Sequence, residues 1–270
     1  MKKIYEEVIF VNNIEKTETA PTKRFSQRAG YYKKYRPGYP REIIGLLKAE
    51  CGLNNSLTIA DIGSGTGILS EMFLREGNPV YGVEPNREMR KASEDILNGY
   101  PNFESVNGTA ESTTLEDGTV DLITVGHAFH WFDVGKSKVE FIRILRQGGW
   151  VALVWNDRRT DTTPFLRSYE DLLKNFGTDY SDVNPANFNF RTLSTFFGKG
   201  GFEIKLFDNF QTFDFEGLKG RLLSSSYVPM EDHSNYVVMM DELHRIFLES
   251  QKDGKVVFKY DTKVYWGRLR

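Results

Sequence analysis

The sequence predicts an α/β fold: a doubly wound, mostly parallel sheet of seven strands, with helices on both faces and a helical lid. Three observations carry it. Short β-branched runs recur along the first half of the chain, amphipathic helical patterns fill the intervals, and a glycine-rich turn, "IADIGSGTGILSEMF" (59–73), follows the first run. A chain of 270 residues can bury one large core.

Residues 11–28 are polar and rich in Thr, Lys and Asn, and a flexible arm is expected over 1–24. From 25 to 270 one domain is expected, with 157–200 and 214–252 as lid and pocket elements. "PREIIGLLKAECG" opens it as a helix. Strands are expected at "LTIADI" (57–62), "PVYGVE" (79–84), ahead of "NGTAES" (107–112), at "VDLITVG" (120–126) and at "WVALVWN" (150–156). Between them "GILSEMFLREG", "NREMRKASEDILNGY" and "GKSKVEFIRILRQGG" space apolar residues three or four apart, two of them closing at glycines. Strands alternating with helices imply right-handed βαβ units. Residues 157–200 then read as mostly helical, 200–215 as a strand, 216–224 and 231–251 as helices, and "GKVVFKYDTKVYWGRLR" as a last strand. The late strands would extend the sheet edge.

Charge and cysteine usage exclude several classes. Lys and Arg number 35 against 37 Asp and Glu, so the overall field draws in neither nucleic acid nor an anionic membrane. Cys51 is the single cysteine, which rules out an internal disulfide or a thiolate zinc site and fits a reducing, cytoplasmic setting. "MKKIYEEVIF" meets Glu6 and Glu7 before any apolar run of signal-peptide length develops. No window reaches the roughly 20 apolar residues of a membrane span. No heptad run marks an oligomer interface, leaving monomer or homodimer.

The glycine loop carries the chemistry. A phosphate loop of the G-x-x-x-x-G-K-[ST] kind needs a lysine, but Ile68 and Leu69 follow Gly67. The dinucleotide pattern wants a third glycine at position 68, which is isoleucine. What stands here is D-x-G-x-G-x-G: Asp61, Gly63, Ser64, Gly65 and Gly67. A carboxylate beside such a loop repels pyrophosphate and suits a ligand with a cation. Glu84 ends the second strand, where an acid can accept both hydroxyls of a ribose. An amino-acid end plus a ribose, without phosphate, describes S-adenosyl-L-methionine.

With "NGTAES" after the third strand and "VGHAFHWFD" (125–133) after the fourth, the motif set resembles the class I S-adenosylmethionine-dependent methyltransferases, whose sheet is Rossmann-like. The segments "YYKKYRPGYP" (31–40), "AFHWFD" (128–133), "GGWVALVWN" (148–156) and the terminal "YDTKVYWGRLR" narrow the resemblance to the subfamily that includes the trans-aconitate methyltransferases. The resemblance implies that Gly63 and Gly65 lie against the methionine part of the cofactor, with Tyr32 near that end, and that Glu84 holds the ribose. It puts Pro85 and Met89 beside the adenine, Ala110 offering its N–H to the ring, and Glu111 alongside. Thr109 stands where many relatives carry aspartate; its hydroxyl is expected to accept from the adenine amino group. Gly126 and His127 complete the pocket.

Methyl transfer from a sulfonium is a displacement that needs alignment and dryness, and a base only when the nucleophile carries a proton that must leave. His130 is the candidate to orient or deprotonate an acceptor, and Trp131 with Phe132 to shield the methyl. His127, His130 and Asp133 make a poor metal set, so no metal is expected. Between 23 and 41 lie Lys23, Arg24, Arg28, Lys33, Lys34, Arg36 and Arg41, with no acidic residue. Arg36 is the candidate clamp for an anionic acceptor, and Trp155 and Tyr227 are candidate pocket walls. The expected function is methyl transfer to a small-molecule acceptor, with a carboxylic acid as the candidate. The alternatives are C-methylation of a quinone or other ring and a non-catalytic module that binds S-adenosylmethionine.

Overall fold

In the computed structural model, residues 31, 34–178, 180 and 189–269 are described. The expected arm at 1–24 and Tyr32 lie outside them.

Seven strands form one sheet in the order β3-β2-β1-β4-β5-β7-β6. Helix α1 (Glu42–Cys51) comes first, closed by Gly52 at φ 69. Strand β1 (Ile59–Ile62) is buried at every residue and pairs in parallel with both β2 (Val80–Val83) and β4 (Val120–Gly126). Helix α2 (Ile68–Arg75) links β1 to β2, and α3 (Arg87–Leu97) links β2 to β3 (Phe103–Val106). The chain thus runs outward from β1 on one side and returns to its other side at β4, so the carboxyl ends of β1 and β4 flank the crevice where strand order reverses.

After β4, a short 3-10 turn (Phe129–Trp131) leads into α4 (Val134–Ile144), which Asp133 caps by accepting from Gly135 and Lys136 N–H. The expected glycine stop for this helix is corrected. α4 ends at Ile144, and β5 (Leu145–Arg158) begins at once. Gly148 and Gly149 fall inside that strand, Gly148 at φ 81. A Cβ on Gly149 would lie 2.8 Å from Leu145 Cδ2 and 3.0 Å from the Asp121 carbonyl, whereas one on Gly148 would meet nothing within 4 Å, so Gly149 serves close strand packing and Gly148 a left-handed backbone position, neither of them a helix end.

Helices α5 (Pro164–Phe176) and α6 (Phe190–Phe197) follow, then β6 (Glu203–Phe213), α7 (Phe215–Leu223), α8 (Tyr236–Ser250) and β7 (Val256–Gly267). β7 inserts antiparallel between β5 and β6. Three apolar clusters result. One holds α1 and α2 on the sheet through Leu47 and Phe73; a second holds α4 and α6 on the opposite face through Phe141 and Phe196. The third packs α5, α7 and α8 around Tyr169, Leu222 and Phe258. The first two are the helical layers of a doubly wound sheet, and the third stands over the extended ends of β5 and β7. No helix among the described residues is long and apolar enough to cross a membrane.

Candidate functional site

The β1–α2 loop is folded against its neighbours by its own backbone. Gly63 and Ser64 N–H both donate to the Val83 carbonyl, at 2.8 and 3.1 Å, and Gly67 N–H to Ser64 O at 2.9 Å. Gly63 (φ 69) admits no side chain, because its Cβ would meet Ala128 Cβ at 2.5 Å; Gly65 (φ 56) has nothing within 4 Å. The first glycine lets the turn after β4 come close. The second leaves open space beside the backbone.

Gly65 N–H donates to Glu84 Oε2 at 3.0 Å, and Asn86 N–H to Glu84 Oε1 at 2.9 Å. Each carboxylate oxygen keeps a lone pair for another donor. Burial raises the Glu84 carboxyl above its ordinary range, against these two N–H bonds. Arg90 Nη1 spans the Glu84 and Pro85 carbonyls at 2.8 and 2.9 Å, fixing the bend after β2, and Asn86 caps α3 by accepting from Met89 N–H.

Around this bend opens a cleft of about 270 Å³. Gly63, Gly65 and Gly126 line its floor, Glu84, Pro85 and Met89 one end, and Thr109, Ala110 and Glu111 the side. His127, Ala128, Trp131 and Phe132 complete it. Thr109 differs in detail from the expectation. Its Oγ1 already accepts Glu111 N–H at 3.3 Å and Ser112 N–H at 3.2 Å, which leaves its O–H as a donor toward the cleft. Glu111 accepts Asp133 N–H at 2.8 Å, tying this side to the α4 cap.

A smaller cavity of about 50 Å³ adjoins the cleft and shares Gly63, Gly65, Gly126 and His127 with it. Arg36, Tyr39, Asp61, Ser64, Asn156, Arg221 and Tyr260 also line it. Asp61 is 1% exposed and receives the Ser70 hydroxyl at 2.6 Å and the Thr124 hydroxyl at 3.2 Å. Burial raises its pKa to about 6. It therefore clamps β1 to α2 and β4 as well as facing the cavity, because both faces of β1 are covered.

His127 sits at φ 54 on the boundary between the two spaces. Its Nε2 accepts Asn156 N–H at 2.6 Å, which puts the ring proton on Nδ1. Burial, with Arg36, His130 and Arg221 nearby, lowers its pKa to about 3. His130 lines neither space. Its ring stands 4.6 Å from Trp131 and 5.2 Å from Trp155, its Nδ1 is buried without a hydrogen bond, and burial lowers its pKa to about 4.

Trp155 is 2% exposed and backs His127 at 4.8 Å rather than forming a wall. Tyr227 packs on Tyr180 at 4.9 Å within the third cluster and reaches neither space, because α7 ends before the turn that carries it. Gly67 stands at the head of α2, where a Cβ would meet Leu97 Cδ1 at 2.6 Å. Among the described residues no group of His, Cys, Asp and Glu could hold a metal ion.

Sequence reasoning missed Tyr39, Asn156, Arg221 and Tyr260 as lining residues. Tyr39 is the penultimate residue of "YYKKYRPGYP" and Asn156 the last of "WVALVWN", both motifs that were singled out. Arg221 and Tyr260 carry no local signal.

Residues 60–153 match a family described as a methyltransferase domain. An uncharacterized methyltransferase of Schizosaccharomyces pombe is 29% identical over 242 residues, spanning 87% of this chain and 92% of that protein. An uncharacterized methyltransferase of Mycobacterium tuberculosis is 36% identical over 135 residues, half of this chain (50%) and 52% of its own length. Among solved structures, a candidate type II methyltransferase from Anaeromyxobacter dehalogenans superimposes with a TM-score of 0.67 at 19% identity, covering 87% of this chain and 98% of the other. That likeness is one of fold.

Proposed function

We propose that this chain, an S-adenosylmethionine-dependent methyltransferase, transfers the methyl group to a carboxylate of a small-molecule acceptor. The cofactor fits the residues present. Open space lies beside Gly65, a side chain on Gly63 would clash, and each Glu84 oxygen retains a lone pair at the cleft end. Glu84 would hold the ribose hydroxyls, Met89 and Pro85 would border the adenine, and Ala110 would donate to it. Thr109 would donate its O–H, Glu111 would brace this side, and the loop from Gly63 to Gly65 would run along the methionine part. When bound, S-adenosylmethionine supplies a methyl on a positively charged sulfur, so that a carboxylate oxygen gains the methyl, the carbon–sulfur pair returns to sulfur, and no proton has to leave.

One observation carries the acceptor class. A C–H acid or phenol needs a base, and bases work best with a pKa near the operating pH. His127 Nε2 is occupied by Asn156 N–H, and His130 is pushed to about 4. Neither is equipped for proton removal, and the Asp61 oxygens are taken by the Ser70 and Thr124 hydroxyls, whereas a carboxylate is already deprotonated. His130 would then orient its neighbours, while Trp131 and Phe132 keep water from the cleft. Arg36, whose Nη2 donates to Ser224 O at 2.9 Å, would hold an anionic acceptor at the cavity. Trp155 would act only through His127. The helical cluster of α5, α7 and α8 would close over the site as its lid. A cytoplasmic location agrees with a lone buried Cys51.

Calorimetric titration with S-adenosylmethionine and S-adenosylhomocysteine tests the cofactor site. Binding in the micromolar range is expected, weakened at least about 100-fold in Glu84→Ala through loss of two charge-assisted bonds. An unchanged affinity would remove Glu84 from the ribose site. Conversion of carboxylic acids to methyl esters, detected with labelled cofactor, tests the acceptor, and a strict preference for ring carbons would overturn it.

A further inference from the structure

Strand β6 is the outermost strand of the described sheet and pairs with β7 alone. Its register runs from Glu203↔Trp266 to Phe213↔Val256 without a bulge, and no proline interrupts "EIKLFDNFQTF". A long regular edge that lacks those devices is a template for another strand. Two hydrogen bonds show which groups it offers. Lys259, opposite Phe210, turns its carbonyl away from β6 to accept Arg159 N–H at 2.9 Å, and Phe210 N–H donates to its own neighbour, Asn209 Oδ1, at 2.9 Å. Backbone direction alternates along an antiparallel strand. Ile204, Leu206, Asp208, Phe210 and Thr212 therefore all aim N–H and C=O at the free edge.

The side chains of the same residues form an apolar stripe. Ile204, Leu206 and Phe210 are 47%, 55% and 70% exposed, and Val257 of β7, opposite Thr212, is exposed too. Just ahead of the strand, Phe202 carries the stripe to the exposed Phe190, 5.4 Å away. Asp208 is the one charge among these β6 side chains, and Arg159 holds it while also holding Asp261 at 2.6 Å.

We infer that β6 is a homodimer interface, through which two copies of the chain pair antiparallel about a two-fold axis at Phe207 and join their sheets. Self-complementarity selects the second copy. An axis normal to the sheet sets residues of the same face opposite each other, so each register centres on one residue. Centres at Lys205 and Asp208 put like charges face to face, which is unfavourable. A centre at Leu206 leaves Phe210 beyond the paired strands, and one at Asn209 leaves Ile204 beyond them. The centre at Phe207 covers both, with Ile204 opposite the partner's Phe210 and Phe207 opposite the partner's Phe207. There Glu203 meets the partner's Gln211, and Lys205 meets the partner's Asn209. Leu206 exchanges backbone hydrogen bonds with the partner's Asp208, both already turned outward.

The pairing also reaches the site. On the opposite face of β6, Asn209 and Gln211 donate their side-chain amides to the Gly38 and Tyr35 carbonyls at 2.9 and 3.2 Å. Fixing β6 between two neighbours braces the segment that lines the small cavity through Pro37 and Tyr39.

Sedimentation velocity on the full chain from about 1 to 100 µM should reveal a dimer with a micromolar dissociation constant. Ile204→Lys and Phe210→Glu should each weaken it at least about tenfold. The double variant Ile204→Lys/Phe210→Glu should recover most of that loss, because opposite charges then face each other across the axis. Phe207→Cys should cross-link under mild oxidation, since such a pair stands about 4.5 Å apart at Cα, within the reach of a disulfide. Lys205→Cys, about 13 Å from its copy, should not, and the native Cys51 is buried.

A monomer at every concentration overturns the inference. So does a dimer that both single variants leave intact, a double variant that recovers nothing, or cross-linking through Lys205→Cys in place of Phe207→Cys. Should the variants fail to fold, hydrogen exchange on the unaltered chain reads the same contact. Protection of the Leu206 and Asp208 amides that rises with protein concentration supports self-pairing. Protection independent of concentration gives the edge to another segment of the same chain and opposes it, as does no protection at all.

Discussion

Both histidines beside the cleft are held neutral by burial, and that has a measurable consequence. Their folded values, about 3 for His127 and about 4 for His130, lie below the ordinary 6.5. Between those limits the unfolded chain takes up protons that the folded chain refuses, so stability falls as pH drops from 6.5 toward 4. Each histidine contributes a slope of up to about 1.4 kcal/mol per pH unit. Asp61 acts in the opposite sense. Its folded value of about 6 exceeds the ordinary 3.8, so below about pH 6 its extra proton in the folded state offsets one histidine's share. The net expectation is a lower urea midpoint at pH 5 than at pH 7.5, and an equal or higher midpoint at pH 5 would contradict it. Catalysis should be insensitive over the same upper range. With a carboxylate acceptor and no titrating base, turnover should vary by less than about twofold between pH 6.5 and 8.5, and a bell-shaped profile centred there would restore a general base.

The β1–α2 loop is the element whose geometry matters most, and its two cleft glycines serve different ends. Alanine at Gly65 meets no atom within 4 Å, so it should cost about 1 kcal/mol for its left-handed backbone alone. Alanine at Gly63 adds a 2.5 Å approach to Ala128 Cβ and should cost about 2–4 kcal/mol. Urea unfolding separates them. S-adenosylhomocysteine binding should nonetheless suffer in both, since a methyl on Gly65 enters the space the ligand needs. A Gly65→Ala chain that folds and binds normally would show that the ligand lies elsewhere. The neighbouring α3 depends on its cap. Asn86→Ala removes the acceptor for Met89 N–H and should cost about 1 kcal/mol, read from the same unfolding curves.

Across the whole molecule, β7 couples the cofactor-binding half to the helical cluster. It pairs with β5 from Val151↔Gly267 to Arg158↔Tyr260 and with β6 from Glu203↔Trp266 to Phe213↔Val256. Truncation after Lys255 should therefore abolish cooperative thermal unfolding, because β5 loses a partner on its edge and β6 loses its neighbour among the described strands. A truncated chain with an intact melt would refute that role. Much of this architecture is written locally. The alternation of β-branched runs with 3.6-residue periodicity marks β1, β2, β4 and their helices, because propensity and patterning act within one element. The run Gly63, Gly65, Gly67 and the acid at Glu84 are equally legible, since a tight turn and a strand-end carboxylate depend on a few adjacent residues. Other features are not local. Gly148 and Gly149 resemble a helix stop until the β5 register against Asp121 is known, and Tyr227 resembles a pocket wall until the turn beyond α7 is seen to pack it on Tyr180. By itself the sequence determined the strand–helix order, the glycine loop and the class of ligand the loop accepts. Only the tertiary structure decided that Arg221, Asn156 and Tyr260 meet Arg36 and His127 at one cavity, because burial and charge pairing arise between elements that the chain separates widely and the sheet brings together.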